Sequence, residues 1–137
     1  MNCSSLQTVT ISNDAQSIGF GAFEGCDSVR AMILPFVGGS REENTYLAYI
    51  FGAAKVDFSR GFSPKDLAKI TLTSACQTLG NYAFFECETL KEVTLAEGLE
   101  SIGVRAFYGC IRLWSVKIPD SVTSIRELAF ANCDALT

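Results

Sequence analysis

The amino-acid sequence predicts a solenoid, in which short repeats stack and each one buries its apolar face against the next. The first observation is a period of 23 residues, because an Ala-Phe pair recurs with a Cys three residues after each Phe. The second is the composition, since 48% hydrophobic and 19% charged residues suit a packed core. Together they indicate a single repeat domain over residues 1–137. The pairs begin at Ala22, Ala83, Ala106 and Ala129.

Each repeat opens with a short apolar pattern that predicts a β-strand. A Leu or Val is followed by two apolar positions that lie two residues apart and are often β-branched, so one face of the strand is buried. A second apolar patch comes later in each repeat. We therefore expect about six turns, with a parallel sheet along one face and short strands, turns or 3-10 or α segments along the other. The strand positions are Leu6/Val9/Ile11, Val29/Met32/Leu34, Leu67/Ile70/Leu72, Leu90/Val93/Leu95 and Leu113/Val116/Ile118.

The turn that closes each repeat carries a recurring Gly and the Phe of the Ala-Phe pair. Gly19, Gly80 and Gly103 share one column, where we expect either an unusual backbone angle or a close contact. Arg126 stands in this column in the last repeat, so the position does not strictly require Gly. The aromatic rings are expected to stack as a spine in the core. They belong to Phe23, Phe84, Phe107 and Phe130.

One repeat is interrupted by an insert at residues 36–64. The strand after it comes 38 residues behind its predecessor, and the Ala-Phe-x-x-Cys element is missing. The insert is rich in aromatic residues, and Asn44 is expected to cap a short helix that includes Tyr46 and ends at Gly52. We favour a segment that covers the core, because apolar faces of this size are usually buried. The alternative is a binding loop that presents Tyr46 and Tyr49.

The six cysteines follow the repeat and are expected to be free thiols in a buried apolar column. Neighbouring turns lie about 4.8 Å apart, which leaves a Cys3–Cys26 or a Cys87–Cys110 disulfide geometrically open. Pair spacings of the C-x-x-C type are absent, so we expect neither a metal site nor a cofactor. Cys76 replaces a Leu or Val in a second column. The main column contains Cys3, Cys26, Cys87, Cys110 and Cys133.

Charge and residue types argue against several classes of function. The net charge of −4 disfavours nucleic acid, whose binding proteins present basic stripes. No apolar run approaches the roughly 18 residues that span a membrane, so we expect no membrane insertion. The chain has no His, the commonest general base and metal ligand, and we expect no catalytic residues and no enzyme activity.

The outward face of the predicted sheet is the candidate binding surface, because solenoid sheets offer extended surfaces to partners. Most outward positions hold small or Thr residues, but Ile33 is apolar and Trp114, the only Trp, stands in a column that tolerates charge. We expect Trp114 to be at least half exposed, as at many binding hot spots, although packing against a neighbouring repeat is the simpler alternative. The candidate protein-binding residues are Trp114, Lys117, Ile33, Glu92, Lys69, Tyr46 and Tyr49.

From Leu113 to Cys133 the sequence reads Leu-x-x-Val-x-Ile-Pro-x-Ser-Val-x-x-Ile-x-x-x-Ala-Phe-x-x-Cys, which resembles the BspA-like leucine-rich repeats. The resemblance covers residues 1–35 and 65–137 and implies a leucine-rich repeat solenoid. It also implies a protein-interaction module of a bacterial cell-surface or secreted protein, with adhesion to host or microbial proteins as its role. A structural spacer that presents another domain is the alternative.

The two ends of the chain both fall inside the repeat pattern, and no signal peptide is visible. We therefore expect a fragment of a longer repeat protein. Terminal turns without polar caps leave apolar edges open, so self-association through the ends is a further expectation.

Overall fold

A computed structural model describes residues 3–42, 46–56 and 61–137, and these form the expected leucine-rich repeat solenoid. The main sheet is parallel, with equal positions of successive repeats paired: Val9 lies opposite Met32, and Val93 opposite Val116. The period of the sequence is therefore the period of the structure. The strands are β1 (Thr8–Thr10), β2 (Ala31–Leu34), β3 (Lys69–Leu72), β4 (Thr78–Leu79), β5 (Glu92–Thr94), β6 (Ser101–Ile102), β7 (Ser115–Lys117) and β8 (Ser124–Ile125).

Two sheets flank the core. The main sheet has the order β1-β2-β3-β5-β7, and a smaller parallel sheet has the order β4-β6-β8. In the first repeat, where the smaller sheet would begin, Ser17 forms an antiparallel bridge to Ser40 of the insert. The described residues thus contribute five strands to the main sheet, one for each of about five turns.

The aromatic spine is present in the second half of the solenoid. The ring of Phe107 stacks on Phe84 at 5.2 Å and on Phe130 at 4.9 Å between centroids. Phe84 and Phe107 are fully buried. Phe23 belongs to the repeat before the interruption, and its ring lies 6.3 Å from Phe51 of the insert. The insert therefore supplies an aromatic ring where the column would otherwise be empty.

The insert contains a 3-10 helix, Leu47–Phe51, that takes the place of the missing turn. Phe23 N–H donates to the carbonyl of Ile50 at 2.8 Å, just as Phe84 N–H donates to the carbonyl of Ala106 in the next regular turn. On its other side, Leu47 N–H donates to the Ala83 carbonyl at 2.8 Å. All but one of the helical residues are buried, as expected of a segment that covers the core.

The ends of this helix agree only in part with the expectation. The helix ends at Gly52, whose φ of 98° places it in the left-handed region. It begins after Tyr46, whose side chain makes no capping hydrogen bond, and the expected cap Asn44 lies outside the described residues. None of the described helical segments is long and apolar enough to cross a membrane.

The recurring Gly column has no unusual backbone angle, and it allows a close contact at Gly103 but not at Gly19, whose Cβ position has no atom within 4 Å. None of Gly19, Gly80 and Gly103 has a positive φ. A Cβ at Gly103 would lie 2.6 Å from the backbone nitrogen of Asn81 in the previous turn. The left-handed conformation recurs two and six positions after this column. The residues that adopt it are Gly21, Tyr82, Arg105 and Leu128, and then Gly25, Glu86, Gly109 and Asn132.

One expectation about the cysteines is wrong, because Cys3 and Cys26 form a disulfide. Equal positions of adjacent turns lie one strand spacing apart, and the Cα–Cα distance of 4.8 Å is within the range that disulfides accept. The other thiols of the column are free, and two of them have a different partner. Cys110 Sγ donates to the Phe84 carbonyl at 3.2 Å, and Cys133 Sγ makes the same bond one turn later.

Burial raises the pKa of all four free thiols. It raises the pKa of Cys76 to about 11 and that of Cys87 to about 12, because a thiolate is poorly solvated in an apolar core. At neutral pH these residues are therefore small, protonated core side chains.

Candidate binding surface

The outward residues of the main sheet form one continuous surface, which we call the sheet face. Because side chains alternate along a strand, each strand presents two residues outward and points the residue between them toward the core, where it is buried in every strand but β7. All ten outward residues are at least partly exposed. They are Thr8, Thr10, Ala31, Ile33, Lys69, Thr71, Glu92, Thr94, Ser115 and Lys117.

A second row of residues precedes the strands, and we call it the strand-start column. Backbone hydrogen bonds fix its spacing, since Trp114 N–H donates to the Lys91 carbonyl at 3.1 Å and Lys91 N–H donates to that of Ala68 at 2.8 Å. Trp114 is 52% exposed, which confirms the expected half exposure. The column is made of Gln7, Arg30, Ala68, Lys91 and Trp114.

The charges on this side of the molecule are mostly positive. Lys69 Nζ lies 3.9 Å from the Glu92 carboxylate, with both side chains about half exposed. An ion pair of this kind contributes roughly 0–1 kcal/mol, because water screens it. Among the described residues, no carboxylate lies within ion-pair distance of the basic groups of Arg30, Lys91 and Lys117.

The apolar candidates on this surface are separated. Ile33 is 36% exposed and lies between Thr10 and Thr71 in the register. Trp114 precedes β7, three strands away from β2, which corresponds to about 14 Å. The two side chains therefore belong to one surface without forming one apolar patch.

The two tyrosines of the insert lie elsewhere, against the turns opposite the strands. Tyr46 Oη donates to the Ala53 carbonyl at 2.8 Å, and burial, followed by the nearby Tyr49, raises its pKa. The Tyr49 ring meets Phe20 edge-on at 5.3 Å and lies against Gly39. The structure thus brings five of the seven sequence candidates to the main sheet and leaves these two in the packing of the insert.

Sequence reasoning missed a cluster of rings on the turn side. The Phe85 ring stacks on Tyr108 at 5.3 Å and meets Tyr82 edge-on at 5.4 Å, while Arg105 lies over Tyr108 at 5.7 Å. Phe85 and Tyr108 are 23 residues apart, so the repeat period could have predicted that their rings lie next to each other. The four side chains are half-buried.

A groove with a volume of about 400 Å³ borders the interrupted repeat. It is open to solvent, and its lining includes Asp27, Ser63, Lys65 and Thr89. Within the described part of the chain, no group of three His, Cys, Asp or Glu side chains is placed to hold a metal ion.

Comparison with known proteins identifies the type of repeat. The sequence model described as "BspA type Leucine rich repeat region (6 copies)" matches residues 1–46 and 58–137. No curated protein matches the chain.

Three solved structures of bacterial proteins share the fold. A leucine-rich repeat protein from Eubacterium ventriosum is 25% identical with a TM-score of 0.63, and the match covers 93% of this chain and 31% of that one. A "leucine rich cell surface protein" from Faecalibacterium prausnitzii is 22% identical with a TM-score of 0.55, covering 96% and 28%. The T. pallidum leucine-rich repeat protein is 24% identical with a TM-score of 0.63, covering 94% and 56%. The chain thus spans between about a quarter and just over half of these proteins.

Proposed function

The chain belongs to the BspA-type leucine-rich repeat family, and from this premise we propose that it is a non-catalytic protein-binding module of a cell-surface protein, with adhesion to host or microbial proteins as its role. The observation that carries the proposal is the half-exposed Trp114 beside the sheet face. One of the structures similar to the chain belongs to a protein named for the cell surface, which supports the location.

The sheet is suited to binding because it is ordered before a partner arrives. Every strand of the main sheet is hydrogen-bonded to its neighbour in register, so its outward side chains keep fixed spacings. Association then costs less conformational entropy than it would on a mobile loop. Tryptophan is enriched at the residues that dominate binding energy, and Trp114 offers half of its surface to solvent.

The area available limits how tightly this chain can bind by itself. Five strands about 4.8 Å apart, each with three or four residues at about 3.3 Å, give roughly 200–300 Å² of flat surface. A standard interface covers about 800 Å² on each partner. The sheet face and strand-start column therefore form part of an interface, and the assay has to detect weak binding.

The test is binding of the purified chain to an array of host extracellular-matrix and microbial surface proteins. Trp114→Ala is measured beside Phe20→Ala, a matched control, because both side chains are 52% exposed and Phe20 lies on the turn side. We expect a saturable partner that Trp114→Ala weakens at least about tenfold and Phe20→Ala does not.

Two results would reject this proposal. If a partner still binds Trp114→Ala but no longer binds Phe20→Ala, the binding site lies on the side of the solenoid opposite the main sheet, near the insert. The absence of any saturable partner would favour a spacer that presents another domain.

A further inference from the structure

We propose that the sheet face and the strand-start column bind an acidic segment of a partner protein, with Trp114 as the apolar anchor. The inference rests on the proposed function and adds the chemistry of the partner. It is carried by charge, since this surface has the opposite sign from the rest of the molecule.

The charges of the chain are unevenly distributed between this surface and the rest of the molecule. The two rows contain four basic residues and one acidic residue, a formal charge of +3. The rest of the chain has 7 basic and 14 acidic residues, a formal charge of −7. Such a distribution attracts an anionic segment to one surface and repels it from the others. The five charged residues are Arg30, Lys69, Lys91, Glu92 and Lys117.

Three of the four basic groups are available to a partner. Lys69 is engaged by Glu92, whereas no described carboxylate neutralises the other three, all of which are exposed. Arg30 and Lys91 are two strands apart, or about 10 Å, which matches three residues of extended chain. Trp114 lies in the turn next to Lys91, so a single segment can meet cation and ring together.

The same surface disfavours a uniformly anionic polymer such as a sulfated polysaccharide. Glu92 lies among the basic residues and would repel an unbroken run of negative charge. Trp114 and Ile33 also expose apolar area that a sulfated sugar would not use. A protein segment that alternates carboxylates with an aromatic or aliphatic residue matches both features.

The experiment selects partners without assuming their identity. A random dodecapeptide phage library is panned against the full chain, and the enriched peptides are synthesised and titrated. We expect enrichment of Asp and Glu together with an aromatic or aliphatic residue. Binding should weaken steeply between about 0.05 and 0.5 M salt, because the screening length falls below the distances between these charges.

Two double variants with the same net charge separate local from global electrostatics. Lys91→Glu/Lys117→Glu reverses two charges on the surface, and Lys55→Glu/Arg126→Glu reverses two exposed charges elsewhere. We expect the first to weaken the peptides at least about tenfold and the second to change them less than about twofold.

Failure of this inference is distinguishable from failure of the proposed function. Neutral or basic peptides that still need Trp114 would overturn the acidic partner and leave the binding surface standing. Peptides that bind the Trp114→Ala variant as tightly as the unchanged chain would overturn both the acidic partner and the proposed binding surface. A library with no acidic enrichment, together with retention on heparin that Lys91→Glu/Lys117→Glu abolishes, would assign the surface to an anionic polysaccharide and reject the protein segment.

Discussion

Substitution of Gly103 by Ala tests whether the turns of this solenoid are as close as the structure indicates. A Cβ at Gly103 would lie 2.6 Å from the Asn81 nitrogen and the Gly80 carbonyl carbon, whereas ordinary contact begins at 3.4 Å. The two turns would have to separate by about 0.8 Å. That movement stretches the hydrogen bond from Gly103 N–H to the Leu79 carbonyl from 2.8 Å to about 3.6 Å, beyond a useful length.

The expected cost follows from these two effects. Overpacking costs about 1–3 kcal/mol, and a buried backbone group without a partner costs about 1–3 kcal/mol. We therefore expect Gly103→Ala to lower the free energy of unfolding by about 2–6 kcal/mol. Gly19→Ala is the matched control, since no atom lies within 4 Å of its Cβ position and its φ is not positive.

Urea denaturation followed by circular dichroism measures both variants. The urea dependence of the unfolding free energy must be compared as well, because repeat proteins can lose cooperativity. The control should change the free energy by less than about 0.5 kcal/mol. A loss of less than about 1 kcal/mol in Gly103→Ala would refute the close approach of the two turns.

Three further predictions concern the core, the turns and the cysteines. Phe107→Ala should cost about 3–5 kcal/mol in urea denaturation, and more than Phe130→Ala, because Phe107 is fully buried between two rings while Phe130 is half-buried beside one; equal losses would contradict the continuous spine. Leu128→Gly should stabilise the protein by about 0.5–1 kcal/mol and so raise the thermal midpoint, because the exposed Leu128 holds a φ of 56° that costs about 1–2 kcal/mol. A lower midpoint would show that the contacts of its side chain contribute more to stability than its backbone strain costs. Thiol titration in denaturant without reductant should count four groups, and six would contradict the Cys3–Cys26 disulfide.

The repeat period was enough to predict most of the fold. It located the five strands and the spine, because a position that recurs every 23 residues meets its own equivalents in the next turn. The aromatic content of the insert likewise indicated burial, and residues such as Ile50 and Phe51 are buried. Composition and period are the same for every turn, so the features that depend on them can be predicted from the sequence.

Features that differ from one turn to another could not be predicted from the repeat period. The column made Cys3–Cys26 and Cys87–Cys110 equally open to a disulfide, and only the structure shows that Cys110 donates to a carbonyl instead. The basic character of the candidate site was missed for a related reason. Arg30 and Lys91 lie in the strand-start column, outside the alternation that identifies outward strand residues.

The fluorescence of Trp114 tests the central claim most directly, because it is the only Trp in the chain and is 52% exposed. The emission is recorded while a selected acidic peptide or an array partner is titrated, and acrylamide quenching is measured at saturation. Binding through this surface should shift the emission to the blue and lower the quenching constant, at the same midpoint as binding measured by calorimetry. Saturable binding that leaves both properties unchanged would contradict the account.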